Sequence, residues 1–340
     1  MPTFLVTSKM EPALAARVEA SVRGQRVVAR AVRHRYLLSV ARLGLALALV
    51  GLVAIIITAR KRSAEQLETS RAALHAAFLA QFRTLTESER HLGARMAALI
   101  APHTVLDYAG DSIAVPLKAE AGLSEALTGG AIYVRGPLSG FSNAANLNRS
   151  ASESAKDAFL LCLLDPPDSH TEQALRKKAR AVNVGGKGSA ALASVERLFP
   201  LLAVTPLLRP EWERALLSAD SQTELDRLER LFRKSPNESA VRAAKAKRLL
   251  LVLDEPGDGP GPTELDGERA HQVRVALIDL KTERVELRLR RRVDPSWLSA
   301  PVRAEFARGI DSCSLALDVR AALGAKSESV GAALARNAPR

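Results

Sequence analysis

Residues 249–256 read Leu-Leu-Leu-Val-Leu-Asp-Glu-Pro, an apolar run that ends in Asp254, Glu255 and Pro256. A buried strand ending in two adjacent carboxylates can hold Mg²⁺ on the first acid and polarise an attacking water with the second, the chemistry of nucleotide hydrolysis. That chemistry needs a second element: a Gly-rich loop whose N–H groups cradle the phosphates, with a Lys and a Ser/Thr beside them. The one candidate is Asn-Val-Gly-Gly-Lys-Gly-Ser-Ala at 183–190. It contains Lys187 and Ser189, but Gly188 separates them and no apolar strand immediately precedes Gly185.

An ATP-binding-cassette enzyme would also carry Leu-Ser-Gly-Gly-Gln close upstream of the paired acids. Here Leu138-Ser139-Gly140-Phe141 echoes it, ahead of the phosphate-loop candidate and so in the wrong order. The expectation is therefore that Asp254 and Glu255 end a strand where polar side chains meet water, and that Pro256 stops the ladder. The acids that follow (Asp258, Glu264, Asp266, Glu268) lie in a Gly/Pro-rich stretch without the ordered spacing of a Ca²⁺ loop, which predicts a solvated loop. His34, His75, His91, His103, His170 and His271 are scattered, no Cys-x-x-Cys or Gly-x-Ser-x-Gly occurs, and aromatics are only 4%. The sequence thus predicts no catalytic residue, no metal site and no cofactor, and offers no base-stacking surface for nucleic acid.

The net charge of +12 is unevenly placed. Eleven of the 49 Lys/Arg and two of the 37 Asp/Glu fall in residues 1–62, leaving 38 basic and 35 acidic residues in the other 278. The basic head surrounds Leu-Gly-Leu-Ala-Leu-Ala-Leu-Val-Gly-Leu-Val-Ala-Ile-Ile-Ile-Thr-Ala at 43–59, which has no charge and no polar face. Taken with 37–42, this predicts a transmembrane helix over 37–59 with Arg42 snorkelling to the interface. The run begins too late, is too long, and is followed by Arg60-Lys61-Arg62 rather than small residues, so it reads as an uncleaved anchor. Arg33, Arg35 and Arg42 flank it on one side and Arg60, Lys61 and Arg62 on the other. Six arginines and no acid in residues 23–42 favour a cytoplasmic N-terminus in an inner membrane, with the bulk outside the cytoplasm. The two cysteines, Cys162 and Cys313, suit one disulfide in an oxidising compartment; two buried free thiols are the alternative.

Residues 1–36 form a basic tail, either an amphipathic helix on an anionic inner leaflet or a solvated segment that only sets topology. Leu67, Leu74, Phe78, Phe82, Leu85, Leu92, Met96 and Leu99 predict one helix over 63–100, within a juxtamembrane region 60–103. That helix either packs on its own domain or pairs two copies as a homodimer. Residues 104–325 predict an α/β domain, a mixed sheet covered by helices. Its strands are expected at 131–136, 158–164, 247–254, 271–280 and 284–293. Helices are expected at 170–182, 189–204, 210–218, 221–234, 237–246 and 301–323, and residues 326–340 as a disordered tail. If the closing helix crosses strand 158–164, Cys162 and Cys313 come within reach of each other. Arg290-Arg291-Arg292 reads as a solvated strand edge.

The stretch from strand 247–254 through Val-Arg-Val-Ala-Leu-Ile-Asp-Leu-Lys-Thr-Glu-Arg-Val-Glu-Leu-Arg-Leu-Arg-Arg to the closing helix resembles the end of extracytoplasmic α/β domains of bacterial envelope lipoproteins. The penicillin-binding-protein activators and the N-terminal domain of the translocation protein TolB are examples. Asp279 and Thr282 match the family's strand–Asp–Thr-turn–strand pattern, while Glu283 and Arg284 stand where Gly is common. The resemblance covers residues 247–320 and implies a non-catalytic domain that binds other envelope components. The expected partners are thus the lipid bilayer and another envelope protein. An enzyme with a dispersed active site, or an anchor whose large domain faces the cytoplasm, are the competing readings.

Overall fold

The computed structural model describes residues 12–105, 107–118, 122–154, 158–183, 194–257 and 270–324. The chain divides into two compact units, Met1–Ser70 and Arg71–Arg340.

Helix α1 runs over Pro12–Phe82 without interruption at either basic flank. Its stretch from Leu43 is apolar enough to cross a membrane, and none of that window is buried. Leu43, Leu47, Val50 and Ile55 are each about two-thirds exposed. The one hydroxyl of the run is internally satisfied: Thr58 donates to the carbonyl oxygens of Ala54 (2.9 Å) and Ile55 (3.0 Å).

The second unit contains a six-stranded mixed sheet, in the order β1 (Ser112–Ile113), β6 (Val285–Val293), β5 (His271–Asp279), β4 (Arg248–Asp254), β2 (Ala131–Pro137), β3 (Val195–Arg197). β2 is parallel to both β3 and β4, and the remaining pairs are antiparallel. One face carries Tyr133, Leu250, Val252, Val275, Leu277 and Leu289. It packs on α5 (Phe159–Leu164), α6 (Glu172–Asn183) and α11 (Ala300–Ala322), the last ended by Gly324 at φ +71°. The other face carries Ile132, Val134, Leu249 and Leu251, also fully buried. On that side lie α2 (Glu87–Ile100), α4 (Ala144–Glu153), α7 (Leu198–Val204) and α10 (Asn237–Ala244). A sheet covered on both faces explains why β4 reads as an unbroken apolar run rather than an alternation.

The expected helix over 63–100 is two helices. α1 ends at Phe82, and Thr86 starts α2 with a capping box: its hydroxyl accepts from the Glu89 N–H, and the Glu89 carboxylate accepts from the Thr86 N–H at 2.7 Å. The two segments still share one apolar stripe, because Leu74, Phe78, Phe82, Leu85, Leu92, Met96 and Leu99 are all buried. Phe78 and Phe82 join an aromatic cluster with Trp212 of α8 (Pro210–Ser218) and Phe232 of α9 (Gln222–Lys234). From Leu74 onward the stripe is covered by the chain's own residues.

Residues 158–164 form a helix, not the expected strand. The run Phe-Leu-Leu-Cys-Leu-Leu is apolar at every position, so its periodicity carries no signal, and without a β-branched residue its propensity favours helix. The expected helix 189–204 is also corrected. Residues 184–193 lie outside the described residues, Val195–Arg197 pair with β2 as a strand, and α7 begins only at Leu198. Pro200 sits in the first turn of that helix, where its missing N–H is tolerated. The other predicted strands and helices fall within a few residues of the observed ones. Two helices, α3 (Gly122–Thr128) and α4, and the two-residue β1 were not anticipated. The tail 326–340 lies outside the described residues.

Candidate functional site

Asp254 and Glu255 do not meet water. Asp254 is 1% and Glu255 8% exposed, and adjacency on an extended chain sends them to opposite faces of the sheet.

Asp254 lies on the α11 face. β2 and β4 are in register with Pro137 opposite Asp254, so Arg135 reaches it diagonally along the adjoining strand. The guanidinium donates through Nε to Oδ2 (2.9 Å) and through Nη2 to Oδ1 (2.6 Å), a bidentate pair in which both side chains are almost fully buried. His271, at the start of β5, places Nε2 3.1 Å from the same Oδ1. Arg135 Nη1 donates to the Ser312 hydroxyl of α11 (2.7 Å), and its backbone N–H to the Ser154 hydroxyl (2.8 Å). Burial by itself would push the Asp254 carboxyl up. The charge and hydrogen bonds of Arg135, with His271, outweigh it and hold the group at about 2.

Glu255 serves the opposite face. Its backbone N–H extends the ladder to the Gln272 carbonyl (2.8 Å), and its carboxylate accepts from Arg274 Nε (2.5 Å) and from Arg290 Nη2. Arg274 also donates to the Val105 carbonyl (2.5 Å). The two guanidinium carbons lie 5.7 and 5.6 Å from the Tyr108 ring centroid, so the ring is held by two cations. The Tyr108 hydroxyl donates to Asp111 (2.5 Å), which also accepts from the Arg290 N–H and from Arg291 Nη1 (2.7 Å). Burial, reinforced by the Asp111 hydrogen bond, raises the Tyr108 hydroxyl above its ordinary value.

The expectation that Arg290-Arg291-Arg292 is a solvated edge holds for Arg290 and Arg292, which are exposed, while Arg291 is partly buried. Arg290 and Arg291 nonetheless pair with carboxylates, β1 meets β6 only at Leu287 and Arg288, and Arg292 lies 3.9 Å from Asp294. Asp254 thus has its oxygens engaged by a guanidinium and an imidazole, and the Glu255 carboxylate is shared by two arginines. Leu138–Phe141 is a turn of 3₁₀ helix, and a Cβ at Gly140 would stand 2.3 Å from the Ser150 hydroxyl, a close-packed corner rather than a ligand cradle. Lys187, Ser189, Asp258, Glu264, Asp266 and Glu268 lie outside the described residues.

Among the remaining sequence candidates, His75 pairs with Glu213 (2.7 Å) and His91 with Glu87 (2.8 Å). No cluster of three His, Cys, Asp or Glu that could hold a metal occurs among the described residues. Cys162 of α5 and Cys313 of α11 are brought face to face, Cα atoms 5.0 Å apart, inside the core. The contact is helix on helix, not helix on strand as the sequence suggested. Arg60, Lys61 and Arg62 are exposed on α1; the side chains of Arg33, Arg35 and Arg42 lie outside the described residues.

Sequence reasoning missed Arg135, His271, Arg274 and Tyr108 as members of this site. One signal was present: Arg135 is a lone cation inside an apolar strand, and a buried charge requires a partner. No protein-family model, curated protein or solved structure matches the chain.

Proposed function

We propose that the chain is a single-pass inner-membrane protein whose body, outside the cytoplasm, is a non-catalytic domain that binds or scaffolds envelope components. The observation that carries the topology is the approach of Cys162 and Cys313. Two residues 151 apart in sequence, the only cysteines in the chain, meet at a Cα separation suited to a disulfide. Such a bond persists where the compartment is oxidising. The exposed apolar face of α1 supports the anchor, since seventeen residues rise about 26 Å as helix against a hydrocarbon core of about 30 Å. The six arginines of residues 23–42 outnumber Arg60, Lys61, Arg62 and Arg71 in residues 60–79, which favours a cytoplasmic N-terminus. The locking of Asp254 and Glu255 supports a binding role over hydrolysis, and so does the resemblance of residues 247–320 to envelope-lipoprotein domains.

Thiol alkylation before and after reduction, combined with protease treatment of spheroplasts, tests this reading. The expected result is a body that is digested from outside, with both cysteines protected until reduced. A body sheltered from protease, with two thiols alkylated without reduction, would place it in the cytoplasm and remove the envelope function.

A further inference from the structure

A cleft of about 330 Å³ lies on the Glu255 face of the sheet, between the strands and residues 98–105 and 107–109. Its floor is Leu251 and Leu253 of β4 with Ala276 and Ile278 of β5; Leu99 and Pro102 form a wall. All six side chains are apolar; Leu251, Leu253 and Ile278 are all but covered, and Ala276 and Leu99 present slightly more surface. The volume lies at the small end of the range of small-molecule sites, about 300–1,000 Å³.

The charges around the cleft are unequal in one respect. Glu283 is engaged by Arg95, and Arg274 by Glu255 and the Val105 carbonyl. Asp107 is exposed at the mouth. Arg288, from β6, lines the cleft half-buried, and among the described residues no hydrogen bond or ion pair holds its guanidinium. Arg290 and Arg291, the next cations along the strand, both have carboxylate partners. A half-buried guanidinium beside an apolar cavity has given up part of its hydration without a compensating anion. His103 lines the same space; burial first, and the Arg288 charge second, lower its pKa and favour the neutral ring, which can still donate one N–H.

We propose that this cleft binds a small amphipathic anion, an aliphatic body on the Leu251–Ile278 floor and a carboxylate or comparable acid group on Arg288. A guanidinium recognises such a group bidentately, and the floor selects against short polar acids. The site does not depend on which side of a membrane the body occupies, so it stands or falls apart from the topology.

The test uses the full chain in lipid nanodiscs, with calorimetric titration of octanoate against empty nanodiscs as the blank. Saturable binding at one site per chain is expected. Arg288→Gln should weaken it at least tenfold, since a hydrogen bond to a charged group is lost. Octyltrimethylammonium should not compete, and acetate should bind at least tenfold more weakly than octanoate. Ala276→Phe should abolish binding by filling the floor. Because that change risks the fold, Ala98→Phe narrows the cleft from an exposed helix position and should weaken octanoate several-fold. Octanoate binding unchanged by Arg288→Gln, equal binding of octyltrimethylammonium, or heat no greater than the blank would each overturn the proposal. Acetate binding as tightly as octanoate would do so as well, since the floor would then play no part.

Discussion

Arg135 and Asp254, 119 residues apart, form a bidentate ion pair between parallel neighbouring strands with both side chains almost completely shielded from solvent. A pair of this kind is weak evidence for added stability, because desolvating two ions offsets most of their attraction. Removing one partner is another matter. Arg135→Met leaves Asp254 buried with only His271, and should destabilise the body by about 3–5 kcal/mol. Asp254→Leu strands the Arg135 guanidinium and should cost about as much. The double variant should be much less damaged than the sum, a coupling of several kcal/mol in chemical denaturation. Additive losses would show that the two groups are stabilised independently of one another. Neither variant should change nucleotide binding, because the geometry gives Asp254 no part in it.

The same pair sets a direction for acid stability. The folded Asp254 carboxyl, at about 2, lies below its ordinary value of 3.8. Its contribution is therefore complete above pH 3.8 and is lost as pH falls towards 2, on the order of 2 kcal/mol in all. Asp318 acts oppositely: burial raises its pKa, so lowering the pH relieves it. Wild-type protein should lose stability below pH 4 more steeply than Arg135→Met, which has no such depressed carboxylate to protonate. Parallel acid limbs for the two proteins would remove Asp254 from the account.

The parts of the fold that were legible are those in which pattern and punctuation agree. Ser221 caps α9, accepting from the Glu224 N–H as the spacing indicates, and Leu225 and Leu228 are the buried stripe. The β5–β6 hairpin is readable from its alternation. The break at Thr86 was equally available in Thr86-x-x-Glu89, but continuous hydrophobic periodicity on both sides masked it. α5 carried no pattern to read, since every residue is apolar, and β3 is a strand only by virtue of its register with β2. The site was the least legible part. Asp254 and Glu255 stood out, yet what decides their chemistry is Arg135 on one face and Arg274 with Arg290 on the other, and no local spacing encodes those meetings.

The β5–β6 turn places a side chain where the backbone conformation favours Gly. Asp279 organises the turn, its carboxylate accepting from the Lys281 N–H (3.0 Å), the Thr282 N–H (2.7 Å) and the Thr282 hydroxyl (2.9 Å). Glu283 then takes φ +58°, a left-handed conformation that places strain on any residue with a Cβ. Glu283→Gly relieves that strain and gives up only the exposed ion pair with Arg95, worth about 0–1 kcal/mol. A gain of about 0.5–1 kcal/mol is expected, read as a rise in thermal midpoint. A fall would mean that the Arg95 link contributes more than the backbone conformation costs.

Gly93 should behave in the opposite way. It lies buried on α2 against α7, and a Cβ there would stand 2.1 Å from the Thr205 hydroxyl oxygen and 3.4 Å from Leu201. In an exposed helix interior, Gly→Ala would stabilise by up to about 1 kcal/mol through the unfolded chain. Here the clash must be relieved by shifting one helix or by turning a Thr205 side chain that already donates to the Leu201 carbonyl (2.9 Å). Overpacking of this kind costs about 1–3 kcal/mol, so Gly93→Ala should be net destabilising. Adding Thr205→Ala removes the oxygen while leaving the helix backbones in place, and should recover most of the loss. Urea titration of the two variants reads this directly. A stabilised Gly93→Ala would show that α2 and α7 are not packed as closely as the structure places them, and with α2 would go the wall of the cleft at Leu99.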